Sequence, residues 1–279
     1  MEQVEPIFVL DRIRLLHLKL LELLRSLDDA GWQKPTIAGH WRVRDIAAHL
    51  LDGQLRSVSM LRDGYFGESP GTIHSYRDLV DFLNRLNAEW ISATRRLSPP
   101  VLIHLLEGSG PQYIDLLAGL DPFAPATFSV AWAGESTSPN WFHIAREYTE
   151  QWHHQQQIRL AVGREEALYE EVFYRPYLDI SMRALPHHYR EVEVKEGKVV
   201  QFIVTGDGGG SWWLVRRANS WQLTSEKLPD PACIVRIPER IAWRLFTKGI
   251  DRQTALDASQ ISGDQSIGEP IFNMLAVMA

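Results

Sequence analysis

Apolar residues recur at helical spacing through most of the first half of the chain. Leucines fall every three or four positions in residues 7–28, and similar patterns cover residues 42–63 and 75–98. This spacing is typical of amphipathic helices that pack on a shared core. Residues 100–120 are predicted to form two short helices, separated by the breaker sequence GSGP.

Another long helix is predicted for residues 141–163, WFHIAREYTEQWHHQQQIRLAVG. Ser138 is a candidate cap, Pro139 suits the first turn, and Gly163 is expected to end the helix. With four long helices and short connections, residues 1–165 are predicted to form a four-helix bundle.

The apolar pattern changes from helical to alternating after about residue 165. REVEVKEGKVVQFIVTG, SWWLVRR, SWQLTSE and ACIVRI alternate between apolar and polar residues around turns, which predicts an antiparallel sheet. PERIAWRLFTKG and the C-terminal EPIFNMLAVMA are predicted helices. The expected fold class is α+β with two domains: a four-helix bundle over 1–165, then a small antiparallel sheet with helices over 166–279.

Charge and composition narrow the classes of partner. The formal net charge is −6 with no basic patch, which argues against nucleic acid. The N-terminal residues carry acid rather than a basic segment, no apolar run is long enough to span a bilayer, and Cys233 is the single cysteine. We therefore expect a cytoplasmic monomer or homodimer with small-molecule partners. The apolar C-terminal helix is a candidate contact with a neighbour.

The predicted helix 141–163 carries a stripe of candidate metal ligands. At about 100° per residue, Glu150 and His154 lie one turn apart and can reach a single point in front of the helix. Glu147 and Gln157 share the stripe and are candidates for supporting the ligands. His153 points away and is expected to be spare, although a shift in register would exchange it with His154. Taken alone, a Glu/His pair is more often solvated or hydrogen-bonded.

A metal site needs a third ligand from another helix, and His49 is the candidate. It lies within the apolar segment AAHLL, where a lone histidine is usually a hydrogen-bonded core residue. Facing helices of a bundle can nevertheless bring such a residue to a shared ion. Arg56 lies two turns further along, and Arg56 and Trp41 are the candidates for binding a cofactor or an anionic substrate group. Three ligands of mixed N and O type suit zinc, with nickel, iron or manganese as alternatives.

Three other features of the sequence have simpler explanations than a functional site. GDGGG at 206–210 lacks the lysine of a phosphate loop and is predicted to be a hairpin turn. The pair His187 and His188 is expected to face solvent. Cys233 lies in an apolar strand and is expected to be buried and inert.

The segments that hold these candidates resemble a known family. GHWRVRDIAAHL resembles the W-x-V-x-D-x-x-x-H-L signature of the DinB-like superfamily, in particular its mycothiol-dependent maleylpyruvate isomerase branch. EYTEQWHHQQQI resembles that family's later metal motif. GGGSWWLVRRANSWQL, PACIVRIPERIAWRLFTKG and SGDQSIGEPIFNMLAVMA resemble its small sterol-carrier-like C-terminal domain.

The resemblance implies a DinB-like bundle with a divalent metal, often zinc, held by His49, Glu150 and His154. It also implies a low-molecular-weight thiol such as mycothiol as a co-reactant. The expected function is an enzyme that activates this thiol for isomerisation or sulfur transfer on a small electrophilic acid. The alternative is a non-catalytic, metal-containing protein that binds a small apolar ligand or a protein partner. The sequence names no catalytic residue and no substrate.

Overall fold

The computed structural model describes residues 5–218 and 220–278, which fold into two compact units. The first, here called the helical unit, comprises residues 8–127 and 139–165. The second, the sheet unit, comprises residues 5–7, 128–138 and the described residues from 166 onwards. The α+β architecture predicted from the sequence is confirmed.

The helical unit is built on four helices that share one core, with a fifth long helix on the outside. The helices are α1 (Leu10–Arg25), α2 (Asp29–Trp32), α3 (Val43–Ser57), α4 (Tyr76–Thr94), α5 (Pro99–Ala118) and α6 (Asn140–Val162). The helices α1, α3, α5 and α6 contact one another, whereas α4 packs mainly on α3. Their leucines and isoleucines, including Leu24, Ile46, Leu51, Leu106 and Ile158, are buried at the centre. The bundle thus includes α5, which the sequence pattern divided in two.

The prediction of a break at GSGP is wrong, because α5 runs unbroken through Pro111. Leu106 and Ile114, on either side of the proline, are both buried, so packing outweighs the missing N–H. The small residues also have a packing role. A Cβ atom on Gly110 would clash with the imidazole of His17 on α1, so glycine allows the two helices to approach.

The helix α6 begins one residue earlier than predicted and ends as expected. Pro139 occupies the cap position without a side-chain hydrogen bond, while the hydroxyl of Ser138 bonds with Val130 and Glu135 instead. Gly163 adopts φ 72°, the left-handed conformation that commonly ends a helix. The boundaries of the helix that carries the candidate ligands are therefore set by local backbone chemistry.

The sheet unit contains one five-stranded sheet. Its strands are β1 (Val199–Thr205), β2 (Gly210–Arg217), β3 (Ser220–Thr224), β4 (Cys233–Pro238) and β5 (Gln260–Gly263), in the order β3-β2-β1-β4-β5. The sheet is mixed rather than purely antiparallel, since β4 pairs with β1 in parallel. One edge of β1 is already occupied by β2. Residues 225–232 therefore return the chain to the other edge, where β4 runs in the same direction as β1.

Short helices complete the sheet unit. They are α7 (Glu171–Ser181), α8 (Leu185–His188), α9 (Glu239–Phe246), α10 (Arg252–Asp257) and α11 (Gln265–Gly268). The C-terminal segment is not the single helix predicted: α11 is followed by a 3₁₀ turn, Glu269–Asn273. Its apolar residues Ile271, Phe272 and Met274 are buried by their own chain, so this segment does not offer the free apolar face expected of it. Within the described residues, no helix combines the length and apolar character needed to cross a bilayer.

Candidate metal centre

The helix α6 is unusual because polar side chains lie along its buried face. Buried polar groups need partners, and several on α6 find them in backbone carbonyls of α1. The amide of Gln155 donates to the carbonyl of Leu16, and the guanidinium of Arg159 donates to the carbonyl of Lys19. These bonds fix α6 against α1 and orient the neighbouring turn that carries the acid and histidine residues.

Glu150, His153 and His154 form a compact group on that turn. One potential ligand atom from each lies within 4.8 Å of the others, close enough to share one cation. Oε2 of Glu150 is 3.6 Å from Nε2 of His154, which is the pair expected from the i,i+4 spacing. His153 was expected to be spare, yet it lies in this group: its imidazole is inclined by 38° to that of His154, with 4.0 Å between the ring centroids.

Hydrogen bonds set the tautomer of His153 and His154. Nδ1 of His154 lies 2.9 Å from the amide oxygen of Gln157, and Nδ1 of His153 lies 2.8 Å from the carbonyl of Thr149. Both partners are acceptors, so each Nδ1 carries the proton and donates it. In the neutral rings the lone pair is then on Nε2, as metal-ligating histidines require. Gln157 therefore has the supporting position that the sequence predicted for it.

His49 approaches the same place from α3. Its ring centroid lies 4.6 Å from that of His154, edge to face, although it is not part of the compact group. Nδ1 of His49 is buried and has no hydrogen-bond partner among the described residues. A buried nitrogen without a partner is costly unless something outside the chain binds it. His49 and His154 are thus brought together, but the compact group holds His153 in place of His49, so the ligand set His49, Glu150 and His154 stays a prediction.

The electrostatics of the cluster favour neutral imidazoles. Burial, followed by the neighbouring His153, lowers the pKa of His154 to about 3, and burial lowers that of His153 to about 4. The pKa of His49 lies well below its ordinary value for the same reason, with His154 adding to the effect. Burial raises the pKa of Glu150. The cluster thus combines neutral imidazoles with a carboxylate, and Nδ1 of His49 has no hydrogen-bond partner among the described residues. This donor set fits a divalent cation such as zinc.

The two residues expected to bind a cofactor or substrate flank the cluster. The indole of Trp41 lies 4.9 Å from His49 and 6.2 Å from His154, measured between ring centroids, so it forms an apolar wall beside both. Arg56 lies one turn beyond Asp52 on α3 and pairs with its carboxylate at 3.6 Å. The side chain of Arg56 stays about one third exposed, which leaves guanidinium donors accessible.

A second buried polar network lies one turn before Glu150, around Glu147. The sequence singled out Glu147 but not its partners Tyr113 and Arg146. Glu147 was expected to support the metal ligands, but it accepts hydrogen bonds from Tyr113 of α5 at 2.7 Å and from Arg146 at 2.8 Å. Burial alone would raise the pKa of Glu147, but Arg146, His143 and Tyr113 outweigh it and lower the pKa to about 2. The tyrosine had no signal in the sequence, because α5 was predicted to break beside it.

The glycine-rich segment, Cys233 and the His187–His188 pair have structural roles. Residues 206–209 form the turn between β1 and β2, as predicted, and Gly210 begins β2. Cys233 is fully buried in β4, where burial raises the pKa of its thiol to about 11. The pair His187 and His188 is half-buried rather than exposed, because Nε2 of His188 bonds with the carbonyl of Pro270 at 2.7 Å.

Comparisons with known proteins agree with this architecture. Two crystal structures of the mycothiol-dependent maleylpyruvate isomerase, one of them a point mutant, are each 14% identical over 91% of this chain and 91% of theirs. Their TM-score of 0.55 shows a shared fold. The UbiJ-SCP2 ubiquinone synthesis protein aligns with 41% of this chain and 90% of its own at 24% identity, with a TM-score of only 0.23. No curated protein matches this chain.

The family model described as "Mycothiol maleylpyruvate isomerase N-terminal domain" matches residues 13–159. This range is more than half of the 279 residues, and it contains every member of the histidine and carboxylate cluster. The match and the fold point to one assignment: the chain belongs to the family defined by the mycothiol maleylpyruvate isomerase N-terminal domain.

Proposed function

We propose that this chain is a divalent-metal-dependent enzyme that activates a low-molecular-weight thiol, such as mycothiol, and acts on a small electrophilic acid. The reaction is isomerisation or sulfur transfer, by analogy with the mycothiol-dependent maleylpyruvate isomerase whose fold the chain shares. The observation that carries the proposal is the approach of His49 on α3 to His154 on α6, whose imidazole lies beside the carboxylate of Glu150. A buried nitrogen of His49 also has no hydrogen-bond partner among the residues that the structure describes.

His49, Glu150 and His154 are the proposed ligands. Mixed nitrogen and oxygen donors suit zinc best, with nickel, iron or manganese as alternatives. Three protein ligands leave a position open, which is the arrangement of catalytic rather than structural sites. A bound cation would supply the positive charge that keeps a thiol deprotonated at neutral pH.

The chain's own residues prepare the site in three ways. Gln157 and Thr149 hold the Nδ1 protons of His154 and His153, so that both Nε2 lone pairs are available. Trp41 covers His49 and His154 and excludes water from that side. Arg56, positioned by Asp52, is proposed to bind the carboxylate of the acid substrate.

Metal content tests the ligand set. We expect the zinc-loaded protein to hold one zinc ion per chain, measured by elemental analysis after dialysis against buffer. His49→Ala, Glu150→Gln and His154→Ala should each weaken zinc binding at least about tenfold, in a competition assay with a chromogenic chelator. His104→Ala removes an exposed histidine on α5 and is the matched control.

His153→Ala decides between the two possible ligand sets. It should keep the metal if His49 is the third ligand. Loss of zinc in His153→Ala together with full zinc in His49→Ala would contradict the proposed set and favour the compact group of Glu150, His153 and His154.

Turnover separates the enzyme from a metal-containing binding protein. The zinc-loaded protein should isomerise maleylpyruvate, or consume a small electrophilic acid, only when mycothiol is present. Arg56→Gln should raise KM for the acid more than it lowers kcat, because the arginine is assigned to binding. Stoichiometric zinc with no thiol-dependent turnover on any such acid would contradict the enzyme and favour the binding protein.

A further inference from the structure

One face of α1 carries exposed leucines framed by charges. Leu18 is 62% exposed and Leu15 is 45% exposed, although α1 already buries a full apolar face against the bundle through residues such as Leu16, Leu20 and Leu24. At about 100° per residue, six exposed side chains fall within roughly one third of the helix surface. We call them the α1 stripe: Asp11, Arg14, Leu15, Leu18, Glu22 and Arg25.

The charges of the α1 stripe are ordered so that they complement those of a second, antiparallel copy of the same helix. If a second α1 helix lies antiparallel with Leu18 against Leu18, residue i faces residue 36 − i. Arg14 then faces Glu22, and Asp11 faces Arg25. Two-fold symmetry repeats each opposite-charge pair, giving four such pairs around an apolar centre. No like charges of the α1 stripe face each other in this register.

We propose that the α1 stripe is the contact surface of a two-fold symmetric homodimer, in which two α1 helices pack antiparallel about Leu18. The partner is a second copy of this chain, because self-complementary charge is what an isologous contact requires. Contacts within the chain hold the guanidinium groups in place: Arg14 lies 3.8 Å from Asp115, and Arg25 bonds with Glu107. Each arginine keeps further N–H donors for a partner.

The proposed dimer is weak and reversible. A single pair of sixteen-residue helices buries less than the roughly 800 Å² per partner of a standard stable interface. The dissociation constant is therefore expected to be on the order of tens of micromolar. Rim charges are screened by salt, so dimerisation should weaken as ionic strength rises.

Disulfide cross-linking tests the symmetry axis. Cys233 is the only cysteine and is fully buried, so Leu18→Cys introduces a single reactive thiol. Oxidation by copper phenanthroline in air removes two electrons and two protons from a pair of thiols. At about 100 μM protein, Leu18→Cys should form covalent dimers, because a residue on a two-fold axis meets its own copy. Leu55→Cys, at a site 40% exposed on α3, is the matched control and should stay monomeric.

Charge reversal tests the register. In sedimentation equilibrium, Glu22→Arg and Arg14→Glu should each raise the dissociation constant about tenfold, since each change creates two like-charge contacts. The double variant should restore it. Circular dichroism of each variant should match the unchanged protein, because all the substituted residues are exposed.

Three outcomes would overturn the proposal. They are a wild-type monomer at all concentrations up to about ten times the expected dissociation constant, equal cross-linking of both cysteine variants, and a double charge variant no better than the singles. A monomer with an unpaired α1 stripe would point instead to a different protein as the occupant of this face.

Discussion

The helical unit and the sheet unit bury very different side chains. In the helical unit, the single helix α6 contributes most of the buried polar side chains, including histidines, glutamines, a threonine and an arginine. Tyrosines and tryptophans aside, the buried polar residues of the sheet unit's described part are two serines, Ser138 and Ser181. Buried polar groups cost free energy unless they are paired. The apolar interior of the sheet unit mainly stabilises its fold, whereas the buried polar side chains of the helical unit are those expected around a functional site.

The largest effect should come from the apolar interior of the sheet unit. Phe202 is 1% exposed at the centre of the sheet, so Phe202→Ala is expected to destabilise the protein by about 3–5 kcal/mol in urea denaturation. Zinc stoichiometry should be unchanged if the two interiors have separate roles. Phe123→Ala, at a phenylalanine 67% exposed, is the control and should alter stability by less than about 0.5 kcal/mol. Equal losses would show that burial does not decide the outcome.

A smaller effect is expected from the buried charge network of the helical unit. The pKa of Glu147 is lowered from 4.5 to about 2, so the folded state binds its proton less readily than the unfolded state. This contribution, about 3 kcal/mol, is present above pH 4.5 and is lost as the pH falls towards 2. Denaturation midpoints measured across this window should show a shallower pH dependence in Glu147→Gln. An unchanged slope would contradict the pairing with Arg146 and Tyr113.

Zinc should stabilise the helical unit only while its ligands are intact. At a free concentration about 100 times the dissociation constant, zinc is expected to add about 2.7 kcal/mol. His154→Leu should abolish this gain and destabilise the zinc-free protein by about 1–2 kcal/mol, because the leucine keeps most of the buried volume but leaves the amide oxygen of Gln157 without its donor. A thermal melt with and without zinc measures both. A zinc-dependent rise that survives in His154→Leu would remove this residue from the ligand set.

The smallest expected change in stability comes from alanine substitutions at two glycines of α5, which should have opposite signs. A Cβ atom at Gly110 would meet the imidazole of His17, so Gly110→Ala should destabilise the helical unit by about 1–2 kcal/mol. Gly108 has open space around its Cβ position among the described residues, so Gly108→Ala should stabilise the helix by up to about 1 kcal/mol. Chemical denaturation of the two variants checks the sign. Equal signs would mean that the glycine does not govern the approach of α1.

The sequence predicted best those parts of the fold that depend on local periodicity. The leucines of α1 and the stop at Gly163 sufficed for the helix positions, since both signals act within a few residues. The break predicted before Pro111 was wrong because the proline's neighbours are buried by residues remote in sequence. The parallel pairing of β4 with β1 was missed for a related reason. The direction of β4 depends on which edge of β1 is free, and the alternation of apolar and polar residues within a strand does not indicate this.

The candidate site was predictable to the same extent. The i,i+4 spacing placed Glu150 beside His154. The need for a third ligand from a facing helix suggested His49, in agreement with the family resemblance, and its ring does approach His154. The inclusion of His153 in the compact group could not be foreseen, because adjacent residues on an ideal helix point about 100° apart. Its rotamer depends on the bond to Thr149. The ligand roles themselves stay predictions until metal binding is measured.

The two units are interleaved along the chain, and this has a consequence for biogenesis. Residues 128–138 and 5–7 belong to the sheet unit, although they are synthesised before most of it. On the ribosome the helical unit can close once residue 165 has emerged, but these early segments must wait for the strands that follow. Dividing the chain between residues 165 and 166 would separate residues 5–7 and 128–138 from the rest of the sheet unit. The halves are therefore not modules that recombination can exchange freely.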